Sequence, residues 1–235
     1  MNIFYCPVAI LNEYCELDET ESRHIATVLR KQEGEELFVF DGKGNLFDAR
    51  IQSISKKNIT VHVVRLIQTD ENNLPKLHIA IAPPKNIERF EWFAEKVTEI
   101  GVHEITPLLC KHSERKDLRL DRIEKILLGA CKQSLKLTIP KLNRMIRLED
   151  FVVGRNIEDR RFVAYCDEKT IHLKDAYKGG FDAIIMIGPE GDFTKEEIIL
   201  AERNEFETIS LGKSRLRLET AGVFAASIFN LANES

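Results

Sequence analysis

The sequence has little of what a stapled miniprotein, a fibrous chain or a membrane protein needs. Only 12 glycines and 7 prolines punctuate 235 residues, which excludes a collagen-like or low-complexity polypeptide. The five cysteines, Cys6, Cys15, Cys110, Cys131 and Cys166, are odd in number and never closer than nine residues apart. They read as buried or free thiols in a reducing cytoplasm. No apolar run approaches the ~20 residues of a membrane helix. Met1–Leu17 lacks a basic leader, carries Pro7 and is acidic from Glu13 onward, so no signal peptide is expected. The six histidines form no His-x-x-x-His pair, and Cys110 with His112 does not complete a ligand set, so no metal is expected. Ser134 and Ser214 have no His and acid in a familiar order, which leaves hydrolase chemistry unsupported.

What is present is a folded composition, 43% hydrophobic and 31% charged, in a chain long enough for one large domain or two ordinary ones. The formal net charge of −4 argues superficially against a nucleic-acid partner. Its distribution is uneven. Met1–Asn73 holds 8 Lys and Arg against 12 Asp and Glu, whereas Lys111–Arg147 holds 11 against 4. A positive stretch on an acidic protein favours a polyanion locally while the remainder limits non-specific binding; a solvated helix face is the plainer alternative.

Two regions differ in pattern. In the first 70 residues, Leu37–Phe40 runs into the turn cluster Asp41-Gly42-Lys43-Gly44-Asn45, after which Phe47, Ala49 and Ile51, then Ile59, Val61 and Val63, alternate as hairpin strands. One helix interrupts them, with Asp18 and Glu21 as a capping pair and Ile25, Val28 and Leu29 as its apolar stripe. This pattern fits a small β-barrel carrying one helix. Gln68–Leu74 is polar and aperiodic and ends at Pro75, which places the domain boundary there, with 1–70 and 74–235 as the two domains. Beyond it, strands alternate with long helical patterns: strand Leu77–Ala82, helix Asn86–Ile100, strand Glu104–Leu109, helix Asp117–Leu137, strands Arg161–Cys166 and Ala183–Ile187, helix Thr194–Asn204, strand Thr208–Leu211 and helix Glu219–Asn233. That alternation predicts a largely parallel sheet covered on both faces, an α/β architecture.

The chemistry concentrates near the end of the chain. Ala183–Ile187 breaks into Gly188-Pro189-Glu190-Gly191-Asp192-Phe193 and then a helix boxed by Thr194 and Glu197. Glycines at the carboxyl end of a buried strand let backbone donors approach a ligand, although Gly-x-x-Gly alone also suits an ordinary turn. Thr208–Leu211 then ends in a second loop, Gly212-Lys213-Ser214-Arg215-Leu216-Arg217-Leu218. Gly212-Lys213-Ser214 lacks the upstream glycine of a triphosphate loop, since position 207 is Glu207, and the first strand of the larger domain lacks Gly-x-Gly-x-x-Gly. Nucleotide hydrolysis and dinucleotide binding are both disfavoured.

The pair Gly188-Pro189-Glu190-Gly191-Asp192-Phe193 and Leu211-Gly212-Lys213-Ser214-Arg215-Leu216-Arg217-Leu218-Glu219-Thr220-Ala221 closely resembles the C-terminal motifs of the RsmE family. Those enzymes methylate N3 of a uridine in small-subunit (16S) ribosomal RNA. The resemblance extends to His24–Arg30, to Glu99-Ile100-Gly101-Val102 and to Lys132-Gln133-Ser134, and so covers nearly the whole chain. It implies an N-terminal PUA-like RNA-binding β-barrel and a C-terminal SPOUT α/β domain with a trefoil knot, a rare exception to unknotted topology. Three positions depart from the family: Asp192 stands where a second glycine is usual, Leu218 where threonine is frequent and Lys136 where arginine is common.

The resemblance implies S-adenosylmethionine as cofactor, held by Ile187, Gly188, Pro189, Glu190 and Gly191 on one side. Leu211, Gly212, Leu216, Arg217 and Leu218 form the other side. Uracil N3 becomes nucleophilic only after losing its proton, when charge spreads onto the flanking carbonyl oxygens. Arg217 is the first catalytic candidate to hold that charge, with a salt bridge to Glu219 as the alternative. Glu190 is a candidate proton acceptor, with a helix cap as the alternative. For RNA phosphates the candidates are Arg23, Arg30, Lys31, Arg115, Lys132 and Lys136, each also explicable as solvated surface. Tyr5, Phe4 and Trp92 are placed in the core rather than stacked on bases. The helix Glu219–Asn233 is apolar on more than one face, and the family implies a homodimer. The expected partner is ribosomal RNA, within the small subunit, for a cytoplasmic enzyme without membrane or metal. A non-catalytic RNA-binding scaffold is the alternative, and cofactor binding separates the two.

Overall fold

The computed structural model describes residues 1–55, 57–70, 74–153, 160–165 and 170–234. Cys166 and part of the expected boundary segment Gln68–Leu74 lie outside the described residues. The chain divides into two compact units, Met1–Asn72 with Cys131–Ile139, and Asn73–Ala130 with Pro140–Ser235.

The first unit is built on a five-stranded sheet of β1 (Ile3–Tyr5), β2 (Tyr14–Leu17), β3 (Glu36–Phe40), β4 (Asn45–Ile54) and β5 (Ile59–Thr69), in the order β1-β3-β4-β5-β2. The β3–β4 turn forms where expected, because the Asp41 carboxylate accepts hydrogen bonds from the Lys43 and Asn45 backbone N–H groups, and Gly42 and Gly44 take positive φ. Alternate residues of β3 to β5, among them Val39, Ile51, Val61 and Val63, are buried in one core with Phe4, Leu17 and Ile25. Helix α1 (Glu19–Arg23) starts on Asp18, whose carboxylate accepts the Glu21 N–H at 2.8 Å, and widens into a π-helical turn over His24–Val28 that seats Ile25 in this core.

Cys6 and Cys15 form a disulfide, which corrects the expectation of free thiols at both positions. Cys6, just after β1, and Cys15 of β2 meet inside the buried core of the unit; β1 pairs with β3 and β2 with β5, so neither a strand pairing nor a local spacing motif announces the contact.

The second unit carries a parallel sheet in the order β11-β13-β10-β12-β6-β7-β8. Its strands are β6 (Leu77–Ile81), β7 (Glu104–Leu109), β8 (Lys141–Leu142), β9 (Ile146–Arg147, paired with β7), β10 (Arg160–Ala164), β11 (Ile171–His172), β12 (Ala183–Ile187) and β13 (Glu207–Ser210). All of its pairings are parallel. Every residue of β6 and β12 is buried, as central parallel strands require. Ala80, Leu108, Val163 and Met186 face one core, shared with Phe151 of α4 (Leu148–Val152) and Ile198 and Ala201 of α6 (Lys195–Arg203). Helix α7 (Leu218–Asn233) packs on β6 and β12 and against α2 (Ile87–Ile100). The two helices approach closely enough that a Cβ on Gly222 would lie 2.3 Å from the Phe93 ring. α5 (Leu173–Ala176) precedes β12.

The expected helix over Asp117–Leu137 is shorter, α3 (Leu120–Ser134). It stops where Leu135 turns to φ +58°, a conformation that cannot continue a right-handed helix. The division between the units falls inside α3, after Ala130. The short elements β8, β9, β11, α4 and α5 have no counterpart in the sequence patterns, because two to five residues are too few to show a period.

Candidate active site

At the carboxyl ends of β10, β12 and β13 the chain encloses a cavity of about 670 Å³, within the usual range for small-molecule sites. Two loops form most of its wall. The loop after β12 contributes Ile187, Gly188, Pro189, Glu190 and Asp192; the loop after β13 contributes Leu211 to Leu218. Of the ten residues expected to hold a cofactor, nine line this cavity. Gly191 does not; it packs against His112, whose Cβ would be 3.1 Å from a Cβ added at Gly191. The space beside Gly188 is filled by the Phe193 ring, 3.0 Å from a Cβ placed there, and Gly212 adopts φ +118°, so both positions favour glycine.

The first loop is tied down from several sides. Its exit helix α6 begins with the expected capping box, in which Thr194 and Glu197 exchange hydrogen bonds. The second oxygen of Glu197 accepts the Lys111 N–H at 2.8 Å. His112 Nδ1 lies 3.1 Å from both the Gly191 and Asp192 carbonyl oxygens, so it carries a proton and donates to them. Asp192 sits at φ +64°, the left-handed conformation a glycine would take most easily, and its own Oδ1 accepts the Phe193 N–H at 2.8 Å.

The charges at the wall are not arranged as the sequence suggested. Glu219, in the first turn of α7, is buried and faces Arg89 of α2, with Nε to Oε1 at 3.9 Å, rather than Arg217. Arg89 also donates from Nη1 to Glu190 Oε1 at 3.2 Å, while Glu190 Oε2 accepts the Lys85 N–H at 3.4 Å. Both Glu190 oxygens are therefore engaged, which makes this residue a tether for the loop. The other oxygen of Glu219 is buried with no hydrogen-bond partner among the described residues. Arg217 is exposed at the cavity and forms no ion pair among the described residues. Arg89 escaped the sequence reading because its partners are 101 and 130 positions away; a cation in the first turn of a helix carries no local cue of such a role.

The RNA candidates separate into engaged and available side chains. Arg23 pairs with Glu19 at 3.2 Å, and Lys31 donates to the Glu36 carbonyl at 2.8 Å. Lys132 is bound to buried Glu21 at 2.6 Å. Arg115 donates to the carbonyls of Pro84 and Lys85 at 3.2 and 2.7 Å, bracing the loop before α2. Arg30 is exposed at φ +53°, and Lys136 is half-buried; neither is in an ion pair among the described residues. Phe4 is buried and Tyr5 packs on Phe40 with ring centroids 5.5 Å apart, but Trp92, expected in the core, is exposed on α2. No group of three or more His, Cys, Asp and Glu suited to a metal ion occurs among the described residues, and no helix among them is long and apolar enough to cross a membrane. Burial pushes the Cys110 thiol up, so it is inert near neutral pH.

Comparison with known proteins bears on this geometry. An RNA methyltransferase domain family matches residues 70–230, and an RNA methyltransferase PUA domain family matches residues 17–64. The chain is 32% identical over 207 residues to Ribosomal RNA small subunit methyltransferase E of Mesomycoplasma hyopneumoniae, covering 86% of this chain and 87% of that protein. A probable rRNA-methyltransferase from Porphyromonas gingivalis superposes with a TM-score of 0.89 at 38% identity, over 96% of this chain and 95% of that one. The Neisseria gonorrhoeae Ribosomal RNA small subunit methyltransferase E, solved bound to S-adenosyl methionine, superposes with a TM-score of 0.87 at 26% identity, over 97% and 95%.

Proposed function

The chain belongs to the RsmE family of ribosomal RNA methyltransferases, and from that premise we propose that its S-adenosylmethionine-dependent reaction is methylation of N3 of a uridine in small-subunit ribosomal RNA. The observation that carries this reading is the cavity formed by the two loops. It has the volume of a nucleoside site and apolar walls from Ile187, Ile209, Leu211, Leu216 and Leu218, and glycines at 188 and 212 expose backbone donors and acceptors. These backbone groups and apolar side chains suit the edge and faces of an adenine ring. When bound there, S-adenosylmethionine supplies an electrophilic methyl group on a sulfonium.

The residues of the chain then have distinct tasks. Backbone groups of Ile187–Glu190 and Leu211–Gly212 orient the donor, and much of the rate comes from that positioning. The Arg217 guanidinium, free of an ion pair among the described residues, stabilises the negative charge that spreads over the uracil carbonyl oxygens once N3 is deprotonated. Glu190, with both oxygens occupied, holds the loop to α2 in this reading and is not the proton acceptor. For RNA phosphates the candidates are Arg30 and Lys136 in the first unit and Lys213 and Arg215 in the second, none of which forms an ion pair among the described residues.

Several finer features follow. Residues 1–70, the greater part of the first unit, form the RNA-binding domain, and their sheet closes as a PUA-like barrel; the link from Cys6, just after β1, to Cys15 of β2, at the other end of the sheet path, supports closure. The second, 74–235, is a SPOUT domain with a trefoil knot. The path from β12 past β10 to β13, and back to α7 on β6 and β12, supports that threading. Exposed Trp92 on α2, and Phe224 and Leu231 on α7, support a homodimer. The reaction takes place in the cytoplasm, on the small ribosomal subunit. The test is incubation of assembled small subunits with methyl-labelled donor and nucleoside analysis: label in 3-methyluridine supports the proposal, and label confined to any other nucleoside refutes it.

A further inference from the structure

Three carboxylates line the cavity, and they are not equivalent. Glu190 and Glu219 share the guanidinium of Arg89, at 3.2 and 3.9 Å. Asp192 forms no ion pair among the described residues; its one recorded side-chain contact is with the N–H of its own neighbour, Phe193. Three further cations, Lys213, Arg215 and Arg217, line the same space. A ligand carrying a net positive charge therefore meets repulsion there that a neutral ligand does not, and Asp192 is the one unpaired anion set against it.

The methyl donor and its product differ in that respect. S-adenosylmethionine carries a sulfonium, an ammonium and a carboxylate, for a net charge of +1. Loss of the methyl leaves S-adenosylhomocysteine, a thioether with net charge zero. We infer that Asp192 is a specificity-determining residue whose carboxylate offsets part of that repulsion and shifts the preference of the cavity toward the cationic donor relative to the neutral product, lowering product inhibition after each transfer. The inference rests on the donor-binding reading of this cavity and adds a role to a side chain where glycine would satisfy the backbone. A cavity of about 670 Å³ keeps a ligand charge within roughly 5–10 Å of its wall. At an effective dielectric constant of about 40–80, the attraction at that range is worth about two- to seventeenfold in affinity.

The test is calorimetric titration of the full chain with S-adenosylmethionine and, separately, with S-adenosylhomocysteine, for the unaltered protein, Asp192→Asn and Asp192→Gly. Both substitutions tolerate the left-handed conformation; Asp192→Asn removes the charge and keeps a side-chain oxygen for the Phe193 N–H, whereas Asp192→Gly removes the charge and that hydrogen bond together. The expected result is a fall of about two- to seventeenfold in the preference for donor over product in both variants, with product affinity changing less than twofold. Raising the salt concentration to about 0.5 M should compress the preference of the unaltered protein toward that of the variants. Equal weakening of both ligands would mean that Asp192 shapes the loop only, and an unchanged ratio would mean that its charge is not felt; either result overturns the inference while leaving donor binding intact. Failure of the unaltered protein to bind either ligand would overturn the donor site itself, and this inference with it.

Discussion

Arg89→Met is the most informative single substitution, because it removes the cation between a buried carboxylate and the cofactor loop. Glu219 is 7% exposed and one of its oxygens has no hydrogen-bond partner among the described residues, so Arg89 at 3.9 Å supplies its cationic compensation together with the amino end of α7. Breaking a well-buried ion pair from one side costs about 3–5 kcal/mol. Here Arg89 is about one-third exposed and the contact is long, so solvent screening reduces the expected loss to about 1–3 kcal/mol. For a protein of this size that corresponds to a fall of roughly 3–10 °C in the midpoint of thermal unfolding. Glu219→Gln added to Arg89→Met removes the stranded charge and should recover more than half of the loss. The assay is thermal denaturation followed by circular dichroism for the two single variants and the double. A neutral Arg89→Met, or a double variant no more stable than Arg89→Met alone, would refute the argument that Glu219 depends on this guanidinium.

Other outcomes follow from the same geometry. Arg217→Ala should lower methyl transfer at least tenfold while donor affinity changes less than threefold, measured by single-turnover labelling beside calorimetry; unchanged turnover would remove Arg217 from the chemistry. Burial pushes the Cys131 thiol up from 9.0 to about 12. The unfolded chain therefore releases this proton first, and the contribution of Cys131 to stability, fully present below pH 9, is lost as pH rises from 9 toward 12. Urea midpoints between pH 7 and 10.5 should fall less steeply above pH 9 for Cys131→Ala than for the unaltered protein, by about 1 kcal/mol per pH unit; parallel curves would count against a buried thiol.

Much of the architecture was legible because it is written in local patterns. The wholly apolar β12, the Asp18 and Thr194 caps and the Asp41 turn each announce themselves within a few residues. The two glycine-bearing loops were legible for the same reason, and a parallel sheet puts the ends of β12 and β13 on one edge, although nothing local showed that β10 lies between them. What escaped depends on distant partners. The sequence offered Glu219 to Arg217, two residues away, but α2 brings Arg89 to it instead. Lys132 reads as a free cation on a basic helix until the fold buries Glu21 against it. Arg115 was a phosphate candidate, yet its guanidinium is held by two backbone carbonyls. Charge counts locate basic segments; they do not say which cations the fold has already used.

Hydrogen exchange with and without S-adenosylmethionine addresses the cradle most directly, because backbone amides of the two loops are the proposed contacts. Saturating donor should slow exchange in peptides covering 187–192 and 209–218 more than anywhere else in the chain. Saturation without added protection in either peptide, the strongest change falling elsewhere, would contradict the account.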